Sequence, residues 1–223
     1  MNRIPRPDTV FAAGNKLVLI YLSTDPENPR ENCDLASTMW CWHGRYNLGD
    51  DDKPRTEDFD GWDAIEAYVR DNYEVLAIKP LYLFDHSGIS MSVGDFGDRW
   101  DSGQVGFLFV TEDHYNTMIG AADDTPGVKR AWAEKVIDQD VEVYDQYIGG
   151  SVYYGELLDL DDPVADREPG GDYYGYKHKE SGLLHDLLGS EDAEIAGEIT
   201  LDEALERIEK AAKEKGEEFY GWR

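Results

Sequence analysis

Between positions 74 and 111, three apolar runs at 74–84, 89–93 and 104–111 are separated by short segments dense in glycine. Runs of that length joined by tight turns fold as antiparallel neighbours, because a parallel pairing needs a crossover of a dozen or more residues. This stretch is therefore expected to be a meander, with Pro80 marking an edge or a bulge. Further strands are expected at Lys16–Leu22, 36–42, 152–160 and 173–178. A helix capped by Asp60 runs to about residue 72, with Trp62, Ile65, Ala67, Tyr68 and Val69 as its apolar stripe. Helical pattern resumes near Glu112 and is strongest over Pro126–Ile148, where Pro126 follows Asp124 or Thr125 and Gly149 and Gly150 end the helix. A short helix at 181–188 follows, and Thr200 with Glu203 forms a capping box that opens Leu201–Lys215.

The expected fold is α+β and single-domain, an antiparallel sheet packed against a long helix and peripheral helices. An extended arm at 1–15 precedes the domain at 16–190, and a peripheral helical tail occupies 191–223. Strands and helices do not alternate regularly and no glycine fingerprint is present, which argues against a doubly wound nucleotide-binding fold.

Among 223 residues, 48 are Asp or Glu and 21 are Lys or Arg, a net charge of −27. A field of that sign repels phosphate backbones, so no direct nucleic-acid binding is expected, and basic proteins are the natural partners. The same composition also describes a well-solvated exterior or a high-salt adaptation. With 41% hydrophobic and 12% aromatic residues the chain is too apolar to be disordered. Cys33 and Cys41 form no CxxC pair, so neither a zinc site nor a cofactor is expected, and a reducing cytoplasm is the simplest setting. The longest early apolar run, 17–22, is far shorter than the ~20 residues of a membrane span. Oligomeric state is left open.

Candidate chemistry concentrates in two places. Asp85, His86, Asp101 and Ser102 suggest a Ser–His–Asp hydrolase, but no GxSxG elbow is present, and His86 and Ser87 point to opposite faces if extended. With 89–93 as a strand, the 85–88 and 98–103 clusters stand at its two ends, roughly 17 Å apart. The plain reading is a pair of turns, with Gly88 taking the positive dihedral. The loop after the strand at 36–42 holds His43, Arg45 and Tyr46, a set able to bind phosphate or carboxylate, with Arg45 as the planar fork. His43, Asp50, Asp85, His86 and Asp101 could donate to a metal, but neither HExxH nor a calcium loop is present.

On the long helix, Trp132, Val136, Val143 and Tyr147 make an apolar face that also contains Asp140, a carboxylate that needs a hydrogen bond, a partner or a function there. Glu134, Asp138, Glu142 and Asp145 form an acidic stripe, either solvated or a landing strip for a basic partner. Enzymatic activity is left open, with a non-enzymatic binding protein slightly favoured. The rival is a small-ligand binder or hydrolase whose pocket uses His43, His86 and Asp140.

Four segments, HGRYNLGD at 43–50, LYLFDHSGIS at 81–90, WDSGQVGF at 100–107 and VEVYDQYIGG at 141–150, together resemble a family of small acidic proteins carried by bacteriophages and prophages. No activity is known for that family. The resemblance spans roughly residues 16 to 182 and implies an accessory protein acting in the cytoplasm of an infected cell. It would bind a basic host or defence protein there, in an anti-defence or host-takeover role.

Overall fold

The computed structural model describes residues 4–32, 35–121, 123–163, 170–175 and 182–222. Its elements in chain order begin with β1 (Thr9–Ala13), β2 (Lys16–Leu22), α1 (Pro29–Asn32), β3 (Thr38–Cys41) and α2 (Trp62–Asn72). Next come β4 (Val75–Asp85), β5 (Ile89–Ser92), β6 (Ser102–Thr111), α3 (Glu112–Ile119) and α4 (Pro126–Ile148). The last are β7 (Val152–Asp159), β8 (Tyr173–Tyr174), α5 (Gly182–Leu188), α6 (Ser190–Ile195), β9 (Gly197–Ile199) and α7 (Leu201–Lys215). Helices with antiparallel sheets make this an α+β protein, as expected. The strands form two sheets, and the chain divides into two compact units. One is Glu27–Gly149, and the described residues before and after it form the other.

In the Glu27–Gly149 unit the sheet order is β3-β6-β4-β5, every pairing antiparallel. Alternation along the strands gives the sheet two apolar faces. Met39, Cys41, Leu81, Leu83, Leu108 and Val110 pack with Ala133, Val136, Ile137, Val141 and Tyr144 of α4. Trp40 and Phe109 point the other way and meet Val69 of α2. β5 pairs only with Tyr82–Asp85, so Pro80 lies where β4 has lost its neighbour on that side, and the β4–β6 register slips just beyond it, between Leu81 and Tyr82. Both observations fit the expected edge or bulge.

Two local expectations are corrected. The buried face of α4 is centred on Ala133, Ile137, Asp140 and Tyr144, while Trp132, Val143 and Tyr147 lie half-buried on its flanks. At 100° per residue positions 133, 137, 140 and 144 share one stripe, and 132, 143 and 147 fall to one side of it. The N-cap of α2 is Gly61 at φ 88°, a conformation Asp60 would adopt only under strain.

The other unit has sheet order β8-β7-β2-β1-β9. Residues 1–15, expected to be an arm, supply β1: beyond Pro7 the apolar Val10 and Phe11 pair with Leu19 and Val18. Leu183, Leu184 and Leu188 of α5 cover one face of this sheet, against Phe11, Val18 and Ile20. The other face packs Leu17 and Leu19 against Ala204 and Ile208 of α7. The Thr200–Glu203 capping box forms, with the Glu203 N–H donating to Thr200 Oγ1 at 3.2 Å and the Thr200 N–H donating to Glu203 Oε2 at 2.9 Å. The strand expected at 173–178 is present as Tyr173–Tyr174. Residues 176–178, the start of the expected helix at 181–188, and Cys33 lie outside the described residues. No helix among the described residues is long and apolar enough to cross a membrane.

Candidate functional site

The site is built at the end of β4. Asp85 closes that strand, and the chain turns through His86, Ser87 and Gly88 into β5, with the His86 N–H donating to the Gly88 carbonyl at 3.0 Å. The turn reading holds, but the left-handed dihedral falls on Ser87 at φ 59°, with Gly88 at φ 159°. After β5 the chain folds back, and β6 starts at Ser102 opposite Phe84. The Asp85 N–H donates to the Asp101 carbonyl at 2.8 Å. The two polar clusters expected at opposite ends of β5 therefore meet. The physical reason is that β4 pairs with both β5 and β6, so the return from 93 to 101 cancels the distance travelled along β5.

His86 Nδ1 lies 2.9 Å from Asp101 Oδ2, within charge-pairing distance of that carboxylate. Asp98 organises the returning loop: its Oδ1 accepts from the Trp100 N–H at 2.8 Å and the Asp101 N–H at 2.9 Å. These bonds, that from Asp101 foremost, hold its carboxyl below the usual range. The Ser102 hydroxyl donates to the Asp98 carbonyl at 2.5 Å, and the Gly97 N–H donates to Asp95 Oδ1 at 2.9 Å. Four internal bonds thus fix a loop whose tip, Trp100, is 94% exposed.

Facing this loop is the segment after β3. His43 Nδ1 accepts the N–H groups of Arg45 and Tyr46, both at 3.3 Å, and its ring stacks on Tyr46 at 5.1 Å. Arg45 Nη1 donates to Asp85 Oδ2 at 2.9 Å while its guanidinium lies 5.7 Å from the Tyr46 ring centroid. The Tyr46 hydroxyl donates to Asp85 Oδ1 at 3.2 Å. Between the two segments is an open cleft of about 390 Å³, lined chiefly by His43, Arg45, Asp85, Trp100, Asp101 and Ser102. The site residues read from sequence at 43, 45, 46, 85, 86, 101 and 102 are brought together here.

Asp140 is not among them. Its Oδ2 accepts from the Ser37 N–H at 2.9 Å and the Ser37 hydroxyl at 2.5 Å, with Arg30 Nη1 at 4.0 Å. Burial pushes its carboxyl up, and the Ser37 bonds oppose that. Arg30 holds Asp50 through a two-pronged pair, Nε to Oδ1 and Nη2 to Oδ2, each 2.7 Å. The Met39 N–H also donates to Asp50 Oδ2 at 2.7 Å. Asp140 and Asp50 thus anchor the approach to β3. The pocket expected around His43, His86 and Asp140 loses its third member.

The acidic stripe of α4 is largely engaged within the chain. Glu134 accepts from Arg130 at 2.9 Å, Asp138 accepts from Lys79 at 2.5 Å, and Asp145 Oδ1 accepts from the Ser90 hydroxyl and the Met91 N–H. Glu142 is exposed. Among the described residues no group of three His, Cys, Asp or Glu side chains is placed to hold a metal ion.

Sequence reasoning missed Trp100 and Arg30. Trp100 carried a usable signal, an indole between Arg99 and Asp101 in a segment bounded by Gly97 and Gly103, outside any apolar period. Arg30 carried none, since its partner Asp50 lies across a loop and a strand. No family model, curated protein or solved structure matches the chain.

Chemically, the cleft is rich in acceptors and poor in nucleophiles. The Ser102 hydroxyl is turned to a backbone carbonyl, and Arg45 is paired with Asp85, which leaves the partly exposed carboxylate of Asp101 and the exposed indole of Trp100 to meet a ligand.

Proposed function

We propose that this is a binding protein that engages a basic segment of a protein partner through the Trp100 loop and the acidic cleft beneath it. The observation that carries the reading is Trp100, 94% exposed on a loop stiffened from inside by Asp98. A bare indole is a residue type that often anchors an interface, and an ordered backbone beneath it lowers the entropic cost of binding. Asp101 beside it suits a guanidinium or ammonium group, which also gains from lying over the indole face. The charge of −27 steers such a partner toward the protein. The reading moves the expected acidic contact surface from the α4 stripe to the β4–β6 end of the sheet. The phage resemblance extends it by making the partner a host or defence protein of an infected cell.

Calorimetric titration with an arginine-rich peptide and a neutral peptide of equal length, at low and moderate salt, tests the reading. The arginine peptide is expected to bind selectively, more weakly as salt rises, and about 30-fold more weakly to Trp100→Ala. Equal binding of the two peptides at both salt levels overturns it.

One observation favours a second reading. His86 Nδ1 lies 2.9 Å from Asp101 Oδ2, an imidazole and carboxylate paired as a hydrolase would use for a general base. Ester turnover lost in His86→Ala and retained in Trp100→Ala would put that reading first.

A further inference from the structure

On the other side of His43 lies a second open cleft, of about 500 Å³, lined by Trp42, Trp62, Tyr46, Asn47, Lys53 and Thr56. Its character is different. Trp42 is fixed by donation of its Nε1–H to the Pro54 carbonyl at 2.9 Å, and its ring centroid lies 6.1 Å from that of Trp62 at a tilt of 43°. Lys53, the one cation in the wall, donates to the carbonyls of Asp50 at 2.8 Å and Leu48 at 3.3 Å, so its charge is directed into the loop. Cys41 is buried at the back, its thiol pushed up to about 12 by burial and thus not a nucleophile. What this cleft offers a ligand is the faces and edges of two half-buried indoles, a surface suited to a planar apolar group.

His43 lines both clefts. Its Nδ1 accepts two backbone N–H groups, so the neutral ring carries its proton on Nε2, a donor left for a ligand at the ridge between the clefts.

We infer that the two clefts form one bipartite site, taking an arginine of the partner beside Trp100 and Asp101 and an aromatic side chain from a nearby position against the Trp42–Trp62 pair. The His43 Nε2–H donates to the partner's backbone carbonyl between them. The inference rests on the proposed binding of a basic partner and deepens it: charge complementarity selects the class of partner, and the indole pair selects the sequence beside the arginine.

Two peptides of equal charge test it, one with Phe two positions from the arginine and one with Ala there. On the wild-type protein the Phe peptide is expected to bind about tenfold more tightly, a gain that disappears in Trp62→Ala while the Ala peptide binds as before. The wild-type comparison needs no variant to fold, and near-ultraviolet circular dichroism checks the variant. Equal binding of the two peptides to the wild type, or a Phe preference that survives Trp62→Ala, overturns the bipartite site and leaves the basic-partner reading standing. Failure of both peptides to exceed an acidic control overturns that reading and the inference with it.

Discussion

Arg30 and Arg45 each face a carboxylate from a neighbouring segment, and each lies within the Glu27–Gly149 unit. The side chain of Arg30 is 5% exposed and that of Arg45 is 70% exposed. Burial turns the first arrangement into scaffolding. Arg30 is grouped with Asp50, Asp140 and Ser37, both oxygens of Asp50 and Oδ2 of Asp140 are set by specific donors, and removing one member strands the rest in a medium that solvates charge poorly. The second arrangement stays in water, where an ion pair contributes little to stability and its groups remain open to exchange for a ligand's. The same residue types, placed on either side of the burial boundary, hold β3 in one case and shape a cleft in the other.

The sharpest way to break this comparison is Arg30→Ala, which leaves two carboxylates without their cation. It is expected to lower unfolding stability by about 3–5 kcal/mol in urea denaturation. Arg30→Lys should recover only part of that loss, since an ammonium cannot hold both oxygens of Asp50 in a planar fork. A loss no greater than that of an ordinary surface substitution would place Arg30 with Arg45.

Asp140→Ala comes next. It leaves the Ser37 N–H and hydroxyl without their acceptor but also relieves a carboxylate that burial disfavours, so about 1–3 kcal/mol is expected.

Smaller again is a pH effect at His114, whose Nδ1 accepts the Thr111 N–H at 3.2 Å to close the capping box of α3. Its pKa is lowered, chiefly by burial, with Arg30 acting in the same direction and Asp113, Asp140 and Asp50 opposing. The unfolded chain therefore takes up this proton first. The contribution of neutral His114 is complete above the usual histidine range and is lost as pH falls through the depressed folded value. The stability of wild type minus that of His114→Gln, followed across pH, should show a decline on the acid side and a plateau above. A decline on the alkaline side would refute the assignment.

The smallest effect on stability is expected from Arg45→Ala. Its denaturation midpoint should match the wild type, while affinity for the arginine peptide changes because Asp85 is freed. An unchanged affinity together with a lowered midpoint would make the cleft a second scaffold.

How much of this was legible in the sequence follows from the range of the forces involved. The long helix could be read from Thr125, Pro126 and Gly149, and the burial of Asp140 followed from its angular position, because these are matters of neighbours three or four residues away. The β5–β6 return was not legible: whether Asp101 meets His86 depends on β4 pairing with both of its neighbours, which local pattern does not encode. β1 was hidden behind Pro5 and Pro7, and its identity as a strand comes from β2 beside it. The cleft residues were picked out by chemical type but set apart at two ends of a strand, where the sheet brings them together, and Trp100 went unremarked because exposure is a property of the finished surface.

The interleaving of the two units has a consequence for how the chain is made. β2 pairs with β7, yet all of Glu27–Gly149 is synthesised between them. At ordinary elongation rates the β1–β2 hairpin leaves the ribosome and waits on the order of ten seconds for its next strand. Until then Val18, Leu19 and Ile20, which end at 0% exposure, sit on a ribbon with both edges open. Slow codons placed within 27–149 should therefore reduce soluble yield more than the same codons placed after β9. The nascent hairpin is where production of this protein is most open to aggregation.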